Sequence, residues 1–303
     1  MADVTDAAFR RLIASKSKPS VMFTEFTSAD GLARAPEEGR KKLLLNLIYT
    51  EAERPIVAQL FTSTPEYMRQ AAALAAELGF DGVDINMGCP DKSVEKQGAG
   101  AALMKDPALA RELIRAAKLG APNLPVSVKT RIGFNKPELE TWLPEILKEE
   151  PAAVTIHART RKEMSKVPAR WEFVKRAVEI RDREQGLTLL KTLILGNGDL
   201  VDLGQAEERV RETGCDGALL GRAIFGNPWL FAGRAPERGE RLETLIEHIQ
   251  LFDEVLGHAK SFAIMKKHFK SYLSGLPDSA ELKKALMDTQ TATEAIGLIR
   301  KVI

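Results

Sequence analysis

Cysteine is nearly absent from this 303-residue sequence, which holds only Cys89 and Cys215. Two thiols so far apart build no disulfide framework, which suits a reducing compartment. Two cysteines and four histidines at unrelated spacings also exclude a structural zinc pattern. No apolar stretch approaches the roughly 20 residues that a membrane-spanning helix needs. The start, Met1-Ala2-Asp3-Val4-Thr5-Asp6, has neither the basic residues nor the apolar run of a secretory signal. The expectation is a cytoplasmic protein with no membrane partner. Charge of one sign is scarce too: 44 Lys and Arg against 42 Asp and Glu leave +2, so only local clustering could mark a polyanion-binding surface. No short repeat and no low-complexity tract occurs. What remains is an ordinary globular composition, 44% hydrophobic and 28% charged, long enough for one large domain and a small one.

Within that composition the order is regular. Short apolar runs recur at Val21–Glu25, Ile56–Phe61, Val83–Asn86, Val126–Lys129, Ala153–His157, Thr192–Gly196 and Gly217–Gly221. Most are nearly continuous, as in parallel strands buried on both faces. Amphipathic stretches lie between them, at Pro65–Leu78, Pro107–Lys118, Trp171–Ile180 and Val201–Glu212. Strict alternation of the two means βαβ units and a parallel sheet, either a doubly wound open sheet or a TIM (β/α)8 barrel. Seven strands are legible where a barrel has eight. Because Thr5–Ala14 already reads as a helix capped by Thr5 or Asp6, the expected fold is an α/β barrel lacking its first strand. From about Arg241 to Ile303 the period is helical, broken at Leu276-Pro277-Asp278, and the Arg234–Gly239 segment reads as a linker. The expected organisation is a barrel over 1–232 and a small helical domain over 240–303.

Barrel chemistry sits at the C-terminal ends of the strands. The polar residues that end or closely follow these runs are Gln59, Asn86, Lys129, His157, Asn197 and Arg222. A lysine ending a Val-Ser-Val strand points into the barrel mouth. Cys89 follows its strand by three residues, in a Gly-Cys-Pro turn of a long loop whose Gly98 and Gly100 can act as hinges. A free thiol has a pKa of about 8.5, so near neutrality it is protonated and can serve as an acid. Cys215 reads as a packing residue.

The segment Asp84-Ile85-Asn86-Met87-Gly88-Cys89-Pro90, continuing to Gly98-Ala99-Gly100-Ala101-Ala102-Leu103-Met104, resembles the signature of the tRNA-dihydrouridine synthases. Val57-Ala58-Gln59-Leu60-Phe61, Val128-Lys129-Thr130-Arg131-Ile132-Gly133, His157-Ala158-Arg159-Thr160, Gly196-Asn197-Gly198-Asp199 and Gly221-Arg222-Ala223 match that family's other blocks in the same order. His268-Phe269-Lys270 matches in the tail, so the likeness covers essentially the whole chain. It implies FMN, reduced by NADPH or NADH, and a uracil ring of tRNA saturated at C5–C6 with Cys89 as proton donor. Gly198, Gly221 and Arg222 would lie at the phosphate, where glycine lets backbone N–H groups approach and arginine adds a forked contact. Gln59 would meet the pyrimidine edge of the flavin and Lys129 its N1 and O2, where reduction gathers charge. His157, Asn197 and Asp199 would complete the cofactor site, and Met1 and Ala2 match its turn after strand one. Asn86 offers a donor and an acceptor to the uracil edge, and Arg131 would orient the Cys89 loop or a phosphate. After Arg159-Thr160 the sequence departs from the family pattern of an aromatic and glycine followed by Ala-Asp-Trp, with Ser165, Val167 and Ala169-Arg170-Trp171 in their place.

Two basic clusters point to an RNA partner, which the resemblance implies is tRNA. One is Arg159, Arg161, Lys162, Lys166 and Arg170 against Glu163 alone. The other is Lys260, Lys266, Lys267 and Lys270 with His258 and His268, in a stretch without acids. No protein partner is implied, and a monomer is expected. Two other readings stay open: a flavin oxidoreductase of a free pyrimidine, and an inactive tRNA-binding homologue.

Overall fold

The computed structural model describes residues 4–186 and 191–303. Each apolar run contributes a strand: β1 (Met22–Phe23) from the first, then β3 (Ile56–Phe61), β4 (Gly82–Asn86), β5 (Val126–Arg131), β6 (Ala153–His157), β7 (Leu193–Asn197) and β8 (Gly217–Leu219), while β2 (Thr27–Ser28) lies just beyond the first run. The path is β1-β3-β4-β5-β6-β7-β8, parallel at every pairing, with β2 alongside the far end of β3. Among the described residues β8 and β1 do not pair, so the ring is open between them. Residues of the first and last strands nevertheless line one cavity, so the sheet curls about a common axis as a TIM-type barrel does.

The first run is shorter than its sequence suggests, and Thr24 and Glu25 are the cause. The Thr24 N–H still reaches the Val57 carbonyl at 3.0 Å, but Thr24 Oγ1 replaces a carbonyl and accepts from the Gln59 N–H at 3.0 Å. Glu25 then leaves the ladder to meet Lys260. At the other end of the sheet, β8 stops at Leu219, before the expected Gly221.

Helices Pro65–Glu77, Pro107–Gly120, Leu139–Leu147, Glu172–Gln185 and Leu203–Thr213 connect the strands. Their starts follow ordinary capping chemistry: Asp106 Oδ1 accepts from the Leu109 N–H at 3.0 Å and Asp202 Oδ1 from the Gln205 N–H at 2.7 Å. Leu139–Leu147 has no counterpart in the sequence reading, because Pro144 within it interrupts a helical pattern. The stretch between β4 and Pro107, expected as a long open loop, holds a helix at Lys92–Lys96 and a 3-10 turn at Gly100–Lys105, and buries Val94, Ala99, Ala101 and Leu103.

Helix Ala7–Lys16, capped by Asp6, packs against the tail helix Arg238–Leu256. The tail continues with Met265–Tyr272, Ala280–Asp288 and Ala292–Arg300, and one hydrophobic core runs through barrel and tail. Two members of the expected basic tail cluster are redeployed. His268 is buried, its ring 4.9 Å from Phe9 and 4.4 Å from His248, and Lys260 is half-buried against Glu25 and Asn46.

Candidate active site

The C-terminal ends of the strands open into a cavity of about 870 Å³, lined by Phe23, Gln59, Asn86, Lys129, His157, Asn197 and Leu219 from successive strands. Asn86 and Lys129 form one in-register row, and Arg131, His157 and Asn197 form a second row two residues further along β5.

Its floor is a chain of buried amides resting on an acid. Asp84 accepts from Ser127 Oγ at 2.6 Å and from Gln59 Nε2 at 2.8 Å. Burial nonetheless pushes its carboxyl up to about 6. Gln59 Oε1 accepts from Asn86 Nδ2 at 3.1 Å. Asn86 Oδ1 in turn accepts the backbone N–H groups of Gly88 at 3.1 Å and Cys89 at 2.9 Å. The side-chain amides of Gln59 and Asn86 are thus engaged within the protein, and Asn86 sets the first turn of the cysteine loop.

Arg131, buried, bridges two loops. Its Nε donates to the Gly88 carbonyl at 2.8 Å, and its Nη1 to the Thr160 and Met164 carbonyls at 3.2 Å each. Cys89 is half-buried at the cavity wall. Burial holds its thiol above the usual cysteine range, and the nearby Arg131 charge offsets this only in part. Cys215 is buried, its Sγ 3.2 Å from the Gly217 carbonyl, as a packing cysteine would be.

Lys129 Nζ donates to Asn197 Oδ1 at 3.1 Å, and Asn197 Nδ2 to the Leu219 carbonyl at 2.8 Å. Burial, then Arg131, pushes the lysine down to about 8. His157 is lowered to about 2 by burial and by the cations Lys129, Arg131, Arg159 and Arg222. Burial and those cations favour its neutral form. Arg159 Nη1 lies 3.3 Å from His157 Nε2. A guanidinium can only donate, which assigns the ring proton to Nδ1.

Asp199 sits in the left-handed region at φ 55° and gathers cations of its own chain. It pairs with Arg159 and with Arg222, the latter at 3.1 Å, and accepts the Ala169 N–H at 2.9 Å. Arg159 also donates to the Val167 carbonyl, so this buried arginine is committed inward. Gly198, at φ 130°, leaves no space for a Cβ, which would lie 2.8 Å from Ala169. Gly221 is the opposite case. Nothing lies within 4 Å of where its Cβ would be, so its turn faces open space beside Arg222. That opening, with Lys129 and Arg222 on the wall, suits an anionic group of phosphate size.

Of the residues singled out from sequence, Gln59, Asn86, Cys89, Lys129, Arg131, His157, Arg159, Asn197, Gly198, Asp199, Gly221 and Arg222 all line this cavity. Lys266, Lys267 and Lys270 do not. They lie on helix Met265–Tyr272, the first half-buried and the others exposed. Met1 and Ala2 lie outside the described residues. Sequence reasoning assigned no role to Asp84, although an acid inside a buried Val-Asp-Ile run was a readable signal. It passed over Glu95, whose partner is 66 residues away.

Positive charge along a cavity of this size, and a thiol kept protonated at its wall, define a class: α/β-barrel enzymes that hold an anionic cofactor at the strand ends and act on a substrate above it. The chain belongs to the dihydrouridine synthase family, FMN-dependent oxidoreductases that saturate uridine in tRNA with electrons from NAD(P)H. The family model described as "Dihydrouridine synthase (Dus)" matches residues 1–302. "Probable tRNA-dihydrouridine synthase 2" of Bacillus subtilis (strain 168) is 40% identical over 303 residues, covering 99% of this chain and 91% of the relative. "Probable tRNA-dihydrouridine synthase" of Staphylococcus aureus (strain COL) is 38% identical, covering 99% and 90%. Among solved structures, histamine dehydrogenase from Rhizobium sp. 4-9 matches with a TM-score of 0.55 at 12% identity, over 82% of this chain and 47% of that one. Morphinone reductase in complex with tetrahydroNAD matches at 0.50 and 15% identity, over 79% and 86%. At these identities the structural likeness speaks for the barrel alone.

Proposed function

We propose that Cys89 is the acid that protonates uracil C5. The observation carrying this reading is a thiol that burial keeps protonated, fixed at the cavity wall by Asn86 beneath it and Arg131 beside it. FMN, which Gly198, Gly221 and Arg222 would hold by its phosphate, would supply the hydride for C6 of the same ring. Lys129 places a fixed ammonium where negative charge collects. Neutral His157, with its ring orientation set by Arg159, offers a proton-bearing Nδ1 without adding charge. Asn197 holds Lys129 in place. Gly198 and Gly221 give backbone access to the cofactor phosphate, and Asp199 aims Arg222 toward it. Gln59 and Asn86 would shape the floor on which the cofactor rests.

The partner in this reading is a tRNA whose target base leaves its stack to enter the cavity. Lys266, Lys267 and Lys270 then contact phosphates at a distance from the chemistry, in a helical unit 240–303 serving a catalytic unit 1–232. NADPH is taken as the reductant, the protein as a cytoplasmic monomer. Among the described residues no helix is long and apolar enough to cross a membrane.

The test is Cys89→Ala on unmodified tRNA. Flavin reduction by NADPH should proceed unchanged while dihydrouridine falls by about 10²-fold or more. Undiminished product would remove Cys89 from the mechanism.

A further inference from the structure

The inner side of the cysteine turn is fixed by Asn86 and Arg131, but its outer side continues into a helix of only one turn, Lys92–Lys96. So short a helix does not hold its own position. Glu95 on that helix meets Arg161 of the loop after β6 in a two-pronged contact, Nε to Oε1 and Nη2 to Oε2. Both side chains are largely sheltered, 14% and 26% exposed, so the pair is screened less than a surface bridge. Arg161 is braced from behind. Its guanidinium lies 5.1 Å from the centre of the Phe134 ring, which also carries Lys105 at 3.9 Å, and its backbone N–H donates to the Gly133 carbonyl at 2.9 Å. The same two loops are joined on the cavity side by Arg131, which holds Gly88 with one nitrogen and Thr160 and Met164 with another. Cys89 therefore lies between two brackets.

We infer that Glu95 and Arg161 form a latch that sets the position of Cys89 over the cavity, which makes them positioning residues for the proton transfer. The inference rests on the reading of Cys89 as the acid. It also moves Arg161 out of the phosphate-binding role that the basic run Arg159–Arg170 suggests, because its fork is already filled by a carboxylate. Glu95 adds to the negative charge near the thiol, the sense that keeps it protonated. Loss of the latch loosens the segment without unfolding it, since Val94 and Ala99 stay packed on Phe61 and Asp91 still caps the helix.

Glu95→Gln, Arg161→Ala, the double variant and the exchanged pair Glu95→Arg/Arg161→Glu test this in the full-length protein with FMN bound. Two readouts are taken: alkylation of Cys89 by iodoacetamide across pH, followed on the Cys89 peptide, and single-turnover dihydrouridine formation from prereduced enzyme. Each single variant should be alkylated several-fold faster and form product about tenfold more slowly, the cost of a misplaced acid. KM for tRNA and flavin reduction by NADPH should hold. The double variant should be no worse than either single, and the exchanged pair should recover most of the rate. Unchanged alkylation in both singles overturns the latch, as does faster alkylation with an undiminished single turnover. A raised KM with a shallower salt dependence in Arg161→Ala but not in Glu95→Gln overturns it in favour of a phosphate contact. If Cys89→Ala retains full product, the reading of Cys89 fails, whereas the alkylation series still reports whether the two side chains hold the turn.

Discussion

Lys129 shows what the site costs the protein. Its pKa falls to about 8 because burial penalises the charged form, so at neutral pH the folded chain carries an ammonium it would be more stable without. Lys129→Met should raise the stability of the cofactor-free protein by on the order of 1–3 kcal/mol at pH 7, measured by urea unfolding. The sign follows from the lowered pKa. Between about pH 8 and about pH 10.5 the unfolded chain binds more protons, so wild-type stability rises through that window and the advantage of the variant shrinks. The same variant should lose most of its reductase activity. Residues such as Lys129, His157 and Asn197 were legible because each ends an apolar run, and in a parallel barrel that place is the mouth. Asp199 and Arg159 were visible as charges, but not as partners. Their pairing crosses 40 residues of chain and exists only once β6 and β7 lie side by side. Glu95 was illegible for the same reason.

At the level of elements, β7 and the helix after β6 interlock through Trp171. A Cβ on Gly196 would sit 2.2 Å from the indole ring, whose Nε1 donates to the Gly198 carbonyl at 3.0 Å. Gly196→Val should cost about 1–3 kcal/mol in chemical denaturation and loosen the Gly198–Asp199 turn with it. The tail carries a second dependence. His248 and His268 are packed against Phe9 and Tyr272, and burial drives both imidazoles down, His268 to about 3. Groups with depressed folded pKa values are protonated only in the unfolded chain, so stability is lost as pH falls through the unfolded histidine value of about 6.5. Unfolding midpoints should drop as pH falls below about 7.5, with His157 acting in the same sense, and His248→Phe with His268→Phe should reduce that slope. Asp6 and Asp84, both raised to about 6 by burial, act in the opposite sense and at lower pH, between about 4 and 6. Strands and capped helices could be read from sequence because their signals are local. Helix Leu139–Leu147 could not, because Pro144 contradicts the pattern and only tertiary burial of Trp142, Leu143 and Ile146 overrides it.

For the molecule as a whole, the cavity is continuous with the gap in the ring, since Val21 and Met22 on one side and Ala218, Leu219 and Leu220 on the other share its lining. A molecule seated there touches both margins and ties them together. FMN should therefore stabilise this chain through the gap as well as through the site. At a hundredfold excess over Kd the expected gain is about 2.7 kcal/mol, visible as a rise in Tm. A Tm unmoved by saturating FMN would mean that the cavity does not receive it. The two margins are themselves brief: β1 contributes two residues and β8 three. Unpaired rows of backbone groups ordinarily invite a second chain to add on, but rows this short give a newcomer too little to grip. An incomplete wall thus need not make a sticky particle, and the sedimentation coefficient should stay constant as concentration is raised.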